Sequence, residues 1–250
     1  MAGSGHWEYS FVATLALLAV SATAARAASV SAGAGYDYQT GPNGSTWSAP
    51  MVFATTVAGS GDATLSLSRF DSSDVGWGWN GLANVGLSFG PRVGGRALAM
   101  RSVGDGEYRA WQAQAGPTFQ LGQNRSLFVY GSHFEDDLSA RLNQVGAEAS
   151  VPLGAQFSGL AGAAIGEQQG GNTNVQGTAG VTWSRWKGLL LIGQTTFGKH
   201  IIASSTAGVA GGGSVGPLGS RGRGHSAQPQ LDSANALEAT ALVGIRVIVP

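Results

Sequence analysis

The chain has no cysteine, no net charge and few charges of either sign. Fourteen Lys and Arg balance fourteen Asp and Glu, and charged residues make up 11% of its 250 residues. Absent cysteine excludes disulfide staples and suits an exported protein spared unwanted oxidation. Balanced charge argues against a nucleic-acid partner or a polybasic membrane-surface role. After the first 27 residues no apolar run approaches the ~20 residues a helix needs to cross a bilayer. What the chain has instead is glycine, 41 residues of it, and a mean hydropathy of +0.05. Low charge with neutral hydropathy is odd for a soluble domain. It is natural where strands alternate lipid-facing and lumen-facing side chains.

The N-terminus carries an export signal. Phe11 to Ala24 is continuously apolar and ends in Ala25-Arg26-Ala27, an h-region followed by an A-x-A site, so cleavage is expected after Ala27. The n-region departs from the usual pattern, with His6 and Glu8 in place of Lys or Arg. Residues 1–27 are therefore read as a signal peptide and 28–250 as the mature domain.

That domain alternates with a period of two. Leu237, Ala239, Ala241, Val243, Ile245, Val247 and Val249 are apolar at every second position, with Glu238, Thr240, Gly244 and Arg246 between them. The run exceeds the ~5–6 residues of a typical soluble strand. It reaches the ~9–11 residues with which a tilted strand crosses a bilayer. From Ser29 onward about twelve such segments (ten to twelve) follow one another between turn signals. The fold class expected is all-β, a transmembrane antiparallel up-and-down barrel. Arg96 to Arg101 reads as a short strand of poor phase, and Leu127 to Phe134 as aromatic and ambiguous.

Connection lengths are expected to sort. Gly59–Asp62, Gly90–Gly95, Gln120–Arg125, Pro152–Gly154 and Lys187–Gly188 read as short periplasmic turns. Asp71–Gly81, Gly166–Asn174 and the Gly-rich stretch of about 200–234 read as longer extracellular loops, a division found in bacterial barrels. Aromatic rings sort as well, since they prefer the headgroup level. Tyr36, Tyr38, Trp47, Trp77, Trp79, Tyr108, Phe134 and Phe197 are assigned to an outer rim, and Phe89, Phe119, Phe157, Trp183 and Trp186 to an inner one. Trp111 joins the girdle set.

The mature chain resembles Gram-negative outer-membrane β-barrels. Within them it is similar to the YaiO-type family in Gly106-Glu107-Tyr108 leading into Gln112-Ala113-Gln114-Ala115-Gly116-Pro117, and in Arg141 followed by Gly146-Ala147-Glu148. The resemblance implies a location in the cell outer membrane, contact with membrane lipids and lipopolysaccharide, and delivery by the outer-membrane assembly machinery. Such barrels usually end on an aromatic residue that helps that machinery read the last strand, whereas this chain ends Val247-Ile248-Val249-Pro250.

The expected lumen is polar and nearly neutral: Asn84, Ser88, Gln112, Gln114, Gln144, Thr178, Thr182, Gln194 and Thr196. Its charges are chiefly Glu148, Glu238 and Arg246, each expected to meet an opposite charge on a neighbouring strand because unpaired buried charge is costly. A large porin displays charged clusters at a constriction. This composition instead favours a narrow, weakly selective channel or a surface-exposed structural protein, non-enzymatic and without cofactor or metal. The alternative is a lipid-modifying enzyme of lipase or acyl-transferase class, with His133 as its catalytic group. Ser132 is adjacent to His133 and therefore on the opposite face of the strand, so it cannot be the nucleophile that histidine activates. Glu135-Asp136-Asp137 is weighed as a Ca²⁺ loop and read as solvated. Arg221 and Arg223 offer contacts to lipopolysaccharide phosphates. Gly33/Gly35, Gly76/Gly78 and Gly222/Gly224 lie between no strand and helix and are not nucleotide motifs.

Overall fold

The computed structural model describes residues 29–40, 46–73, 76–104, 108–137, 141–168, 172–184, 188–199 and 238–249. The expected signal peptide, Trp186, Arg221, Arg223 and the Gly-rich stretch lie outside them. Twelve strands run in chain order: β1 Ser29–Thr40, β2 Thr46–Ala58, β3 Gly61–Ser72, β4 Gly76–Ser88, β5 Val93–Gly104, β6 Arg109–Gly122, β7 Arg125–Asp136, β8 Arg141–Pro152, β9 Phe157–Gln168, β10 Asn172–Trp183, β11 Leu189–Lys199 and β12 Glu238–Val249. Each pairs antiparallel with its sequence neighbours. The barrel closes where β1 meets β12, from Ala32↔Val249 to Thr40↔Ala241. Closure leaves no sheet edge, so every strand finds its backbone hydrogen bonds within the barrel, which is what a lipid environment demands.

Tight turns connect the strands at one end. Positions 59–60 join β2 to β3 and 123–124 join β6 to β7. Gly59 (φ 55°), Asn124 (φ 57°) and Gly188 (φ 82°) take the left-handed backbone that such reversals require. At the opposite end the expected long loops shrink. β3 and β4 are separated only by positions 73–75, and β9 and β10 only by 169–171. Glycines that read as loop in sequence are strand in the fold. Gly78 on β4 sits under the Phe70 ring of β3, where a Cβ would collide with it. Likewise Gly146 lies beneath Tyr130, whose Cζ would stand 2.6 Å from an added Cβ. A ring covering a cross-strand glycine restores the packing that glycine lacks. The 200–237 interval between β11 and β12 is the one long connection by position, and it marks the second end of the barrel, called here the long-connection end.

The alternation sorts side chains to two faces. Val52, Leu67, Val145, Ile165 and Val243 point out, at 49% to 65% exposure, forming the apolar outer wall. Gln112, Gln144, Asn174, Thr196 and Arg246 point in and are buried. The ambiguous β7 resolves with Phe128, Tyr130 and Phe134 inward and Val129 and His133 outward. β5 is a full strand, Val93–Gly104, whose inward Leu98 and Met100 had blurred its phase.

Candidate functional site: the barrel interior

The interior is zoned. At the closing seam, Arg246 of β12 lies opposite Gly35 of β1, and Asp37 opposite Gly244. Each charged side chain leans over the glycine facing it. An added Cβ on Gly35 would meet Arg246 Cδ at 2.6 Å, and one on Gly244 would meet the Asp37 carboxylate. The two then join in a fork: Arg246 Nη1 donates to Asp37 Oδ1 at 2.5 Å and Nη2 to Oδ2 at 2.9 Å, both residues wholly buried. Arg246 was expected to find a charge on a neighbouring strand. Its partner is Asp37, hidden in sequence between Tyr36 and Tyr38 until the first strand is laid against the last.

A second charge group runs along the wall from β3 to β8. Arg96 Nε donates to Asn84 Oδ1 at 3.0 Å, its guanidinium stands 5.9 Å from the Phe128 ring centroid, and the Asp62 and Glu148 carboxylates act on it electrostatically. Across the strand pair Arg96 lies opposite Gly116 of β6. Glu238 opens β12, and its side chain is outside the described set. The inward charges described in these two groups thus stand in opposite-sign company.

Between β6 and β10 the wall is amide and hydroxyl. Gln144 Nε2 donates to Asn174 Oδ1 at 2.9 Å, spanning β9 where Gly166 leaves the path clear. Ser132 and Gln176 add longer contacts to Gln144 Oε1, both at 3.5 Å. Thr55 with Thr64 (2.9 Å) and Thr178 with Thr196 (3.4 Å) tie adjacent strands across the lumen face.

The long-connection end is apolar. Trp47, Ala49, Phe70, Tyr108, Ala110, Phe134 and Leu142 form one cluster along the inner wall from β2 to β8, none more than 5% exposed. Trp47 stacks on Phe70 with centroids 6.4 Å apart. Burial pushes the Tyr108 phenol well above its usual range, and Asp136 and Asp137 push it the same way, so it stays protonated. Trp47, Tyr108 and Phe134 therefore do not belong to the outer girdle. They occupy inward positions of the alternation, and Trp47 faces Gln39 and Ser72 across its neighbours. Of the other aromatics expected in a girdle, Tyr36 (44%), Trp79 (48%) and Trp111 (38%) are exposed on the outside at this end, and Phe119 and Trp183 are partly buried at the other. Within the packed interior, Trp47 Nε1, Gln39 Oε1, Ser102 Oγ and Gln112 Oε1 are buried with no hydrogen-bond partner among the described residues.

His133 points out of the barrel and Ser132 into it. The imidazole Nδ1 is 2.6 Å from Asn143 Oδ1, and its ring packs on Trp111 at 4.6 Å. Glu135 and Asp136 diverge to opposite faces, and no group of three potential metal ligands occurs among the described residues.

No protein-family model matches the chain, and no curated protein matches its sequence. Solved structures do. The KdgM porin superposes with a TM-score of 0.56 at 6% identity, over 86% of this chain and 98% of that one. The NanC porin gives 0.56 at 6% identity, over 88% and 99%. The KdgM porin in complex with disordered oligogalacturonate gives 0.54 at 8% identity, over 87% and 98%. The fold is that of outer-membrane porin barrels. At such identities the likeness is one of architecture, and the interior must be judged on its own residues.

Proposed function

We propose that the chain is a non-enzymatic channel of the outer membrane, narrow and weakly selective, for small polar solutes without strong net charge. The observation that carries this reading is the compensated interior. Asp37 is forked by Arg246, and Arg96 stands among Asn84, Asp62 and Glu148. Two arginines thus face three carboxylates, a small negative excess that leaves only a weak field with which to select ions by sign. The acidic oligosaccharide seen with the KdgM porin is accordingly not the solute this interior favours. Short turns face the periplasm in this reading and the long-connection end faces outward. The finer kinship with YaiO-type barrels rests on the stretches around Gln112–Pro117 and Gly146–Glu148, which lie on β6 and β8.

The buried apolar cluster sets the narrowness. Four polar atoms buried beside it have no partner among the described residues; an unpaired buried group costs about 1–3 kcal/mol, and water entering a conducting lumen would satisfy them. Planar-bilayer recording of the purified protein is expected to show small, steady openings with at most a modest preference for cations. A silent bilayer favours the structural-protein reading. Lipid hydrolysis or acyl transfer abolished by His133→Ala would replace both with the enzyme.

Phe134→Ala tests the cluster separately. It is expected to raise single-channel conductance while costing about 3–5 kcal/mol of stability, as for a buried Phe in a packed core. Unchanged conductance in a folded variant would mean that the narrow point lies elsewhere.

A further inference from the structure

We propose that Asp62 sets the ion preference of the lumen: its carboxylate, open at the short-turn mouth, draws small cations in ahead of anions. The inference rests on the channel reading above and names the residue that decides which ions pass more readily.

The register puts Asp62 where it can do this. It is the second residue of β3 and lies opposite Gly86 of β4. Its carboxylate leans over that glycine, filling the place where a side chain on residue 86 would begin. Asp62 itself is exposed. With Val57, Ser60, Ser88 and Pro91 it lines a cavity of about 490 Å³ between the β2–β3 and β4–β5 turns. Ser88 Oγ donates to Gly90 O at 2.8 Å, so that hydroxyl is engaged by its own turn. No ion pair joins Asp62 to Arg92 of the neighbouring turn or to any other described residue.

The other inward charges are taken up. Asp37 is forked by Arg246. The Arg96 guanidinium lies over the Phe128 ring, and Phe128 lies opposite Glu148. Both carboxylates act on Arg96, Glu148 more strongly than Asp62. Glu148 is buried and Asp62 is not. An uncompensated charge is costly when buried and tolerable in water, so Glu148 has first claim on that guanidinium. Asp136, inward at the last position of β7, is half-buried at the opposite end, where its field falls on Tyr108. The surplus charge that a passing ion meets is therefore Asp62.

One carboxylate about 10 Å from an ion in water raises cation occupancy and lowers anion occupancy by about twofold each, before screening. Screening is slight near 0.01 M salt, where the Debye length is about 30 Å. A lone carboxylate at a narrow mouth is thus enough for a modest preference, and a single residue can carry it.

The experiment records the purified full barrel in planar bilayers and reads the K⁺/Cl⁻ permeability ratio from reversal potentials in KCl gradients near 0.01 M. The parent is expected to favour K⁺ about threefold, and to lose the preference near 1 M, where the Debye length is about 3 Å. D62N should bring the ratio to about one, and D62K should invert it to about threefold for Cl⁻. R96Q/E148Q removes one charge of each sign and should keep the parent ratio, as should D136N. A heat-modifiable band shows that each variant is folded, and the exposure of Asp62 makes its two variants the safest in that respect. A D62N channel that keeps the parent ratio overturns the assignment, as does a parent without preference. Loss of the preference in folded D136N or R96Q/E148Q overturns it too. None of these results touches the channel reading, whereas a silent wild-type protein overturns both.

Discussion

Arg246→Ala is expected to destabilise the folded barrel by about 3–5 kcal/mol, because it strands the Asp37 carboxylate in the protein interior without its partner. Both side chains are wholly buried and share two hydrogen bonds. They also sit on the only two strands that come from opposite ends of the sequence, 209 positions apart. Asp37→Ala should cost a similar amount, leaving a guanidinium unpaired. The exchange D37R/R246D should recover part of the loss, since it restores the opposite charges and each site faces a glycine, Gly244 or Gly35. Replacing both by apolar residues of similar volume can be nearly neutral, as is common for buried pairs. That outcome would show that the pair sets register more than stability. Denaturant titration in micelles, followed by the heat-modifiable gel shift, reads all four variants. Single variants within about 1 kcal/mol of the parent, the range of exposed ion pairs, would show that the seam does not depend on this contact.

Val243→Arg carries the second large effect. Val243 lies midway along β12, faces out and is 65% exposed. An arginine there would enter the hydrocarbon region near its midplane, at about 2–4 kcal/mol. Ile245→Arg should behave alike. The alternation makes Gly244 the natural mild control, but the structure removes it from that role. The Asp37 carboxylate occupies the place where a side chain on residue 244 would begin, so substitution there strikes the seam itself. Thr182, on the inward face near the short-turn end and only partly buried, is the better control. Thr182→Arg should shift stability by less than about 1 kcal/mol, because interior substitutions meet water rather than lipid. Equal costs at Val243 and Thr182 would contradict the assignment of faces.

These two variants draw on different kinds of information. That Val243 points away from Arg246 follows from chain geometry alone, since neighbouring strand residues face opposite ways. That Arg246 needs Asp37 follows from closure, which pairs residues no local pattern relates. The same division explains the misplaced aromatics. Trp47 and Phe134 lie at the ends of their strands, as girdle residues do, yet their parity sends them inside, where Phe70 and Leu142 meet them. β5 misled for a related reason: its inward Leu98 and Met100 pack against Leu82 instead of facing water, so the apolar–polar contrast that marks a strand is lost.

By itself the sequence determined that this chain is a barrel of about twelve long antiparallel strands, which strands follow which, and where the hairpin reversals fall. A two-residue period and turn chemistry are local properties, and they survive without knowledge of the partner strand. It also pointed to amides and hydroxyls on the inner face, such as Gln112, Gln144 and Thr196, because composition on one face of each strand is local too. Only the tertiary structure decided which charges meet, why so many glycines lie within strands, and that one end of the interior is lined with aromatic rings. Those depend on register between strands and on closure of the last strand onto the first. A slip of one residue in a single pairing would exchange inside for outside.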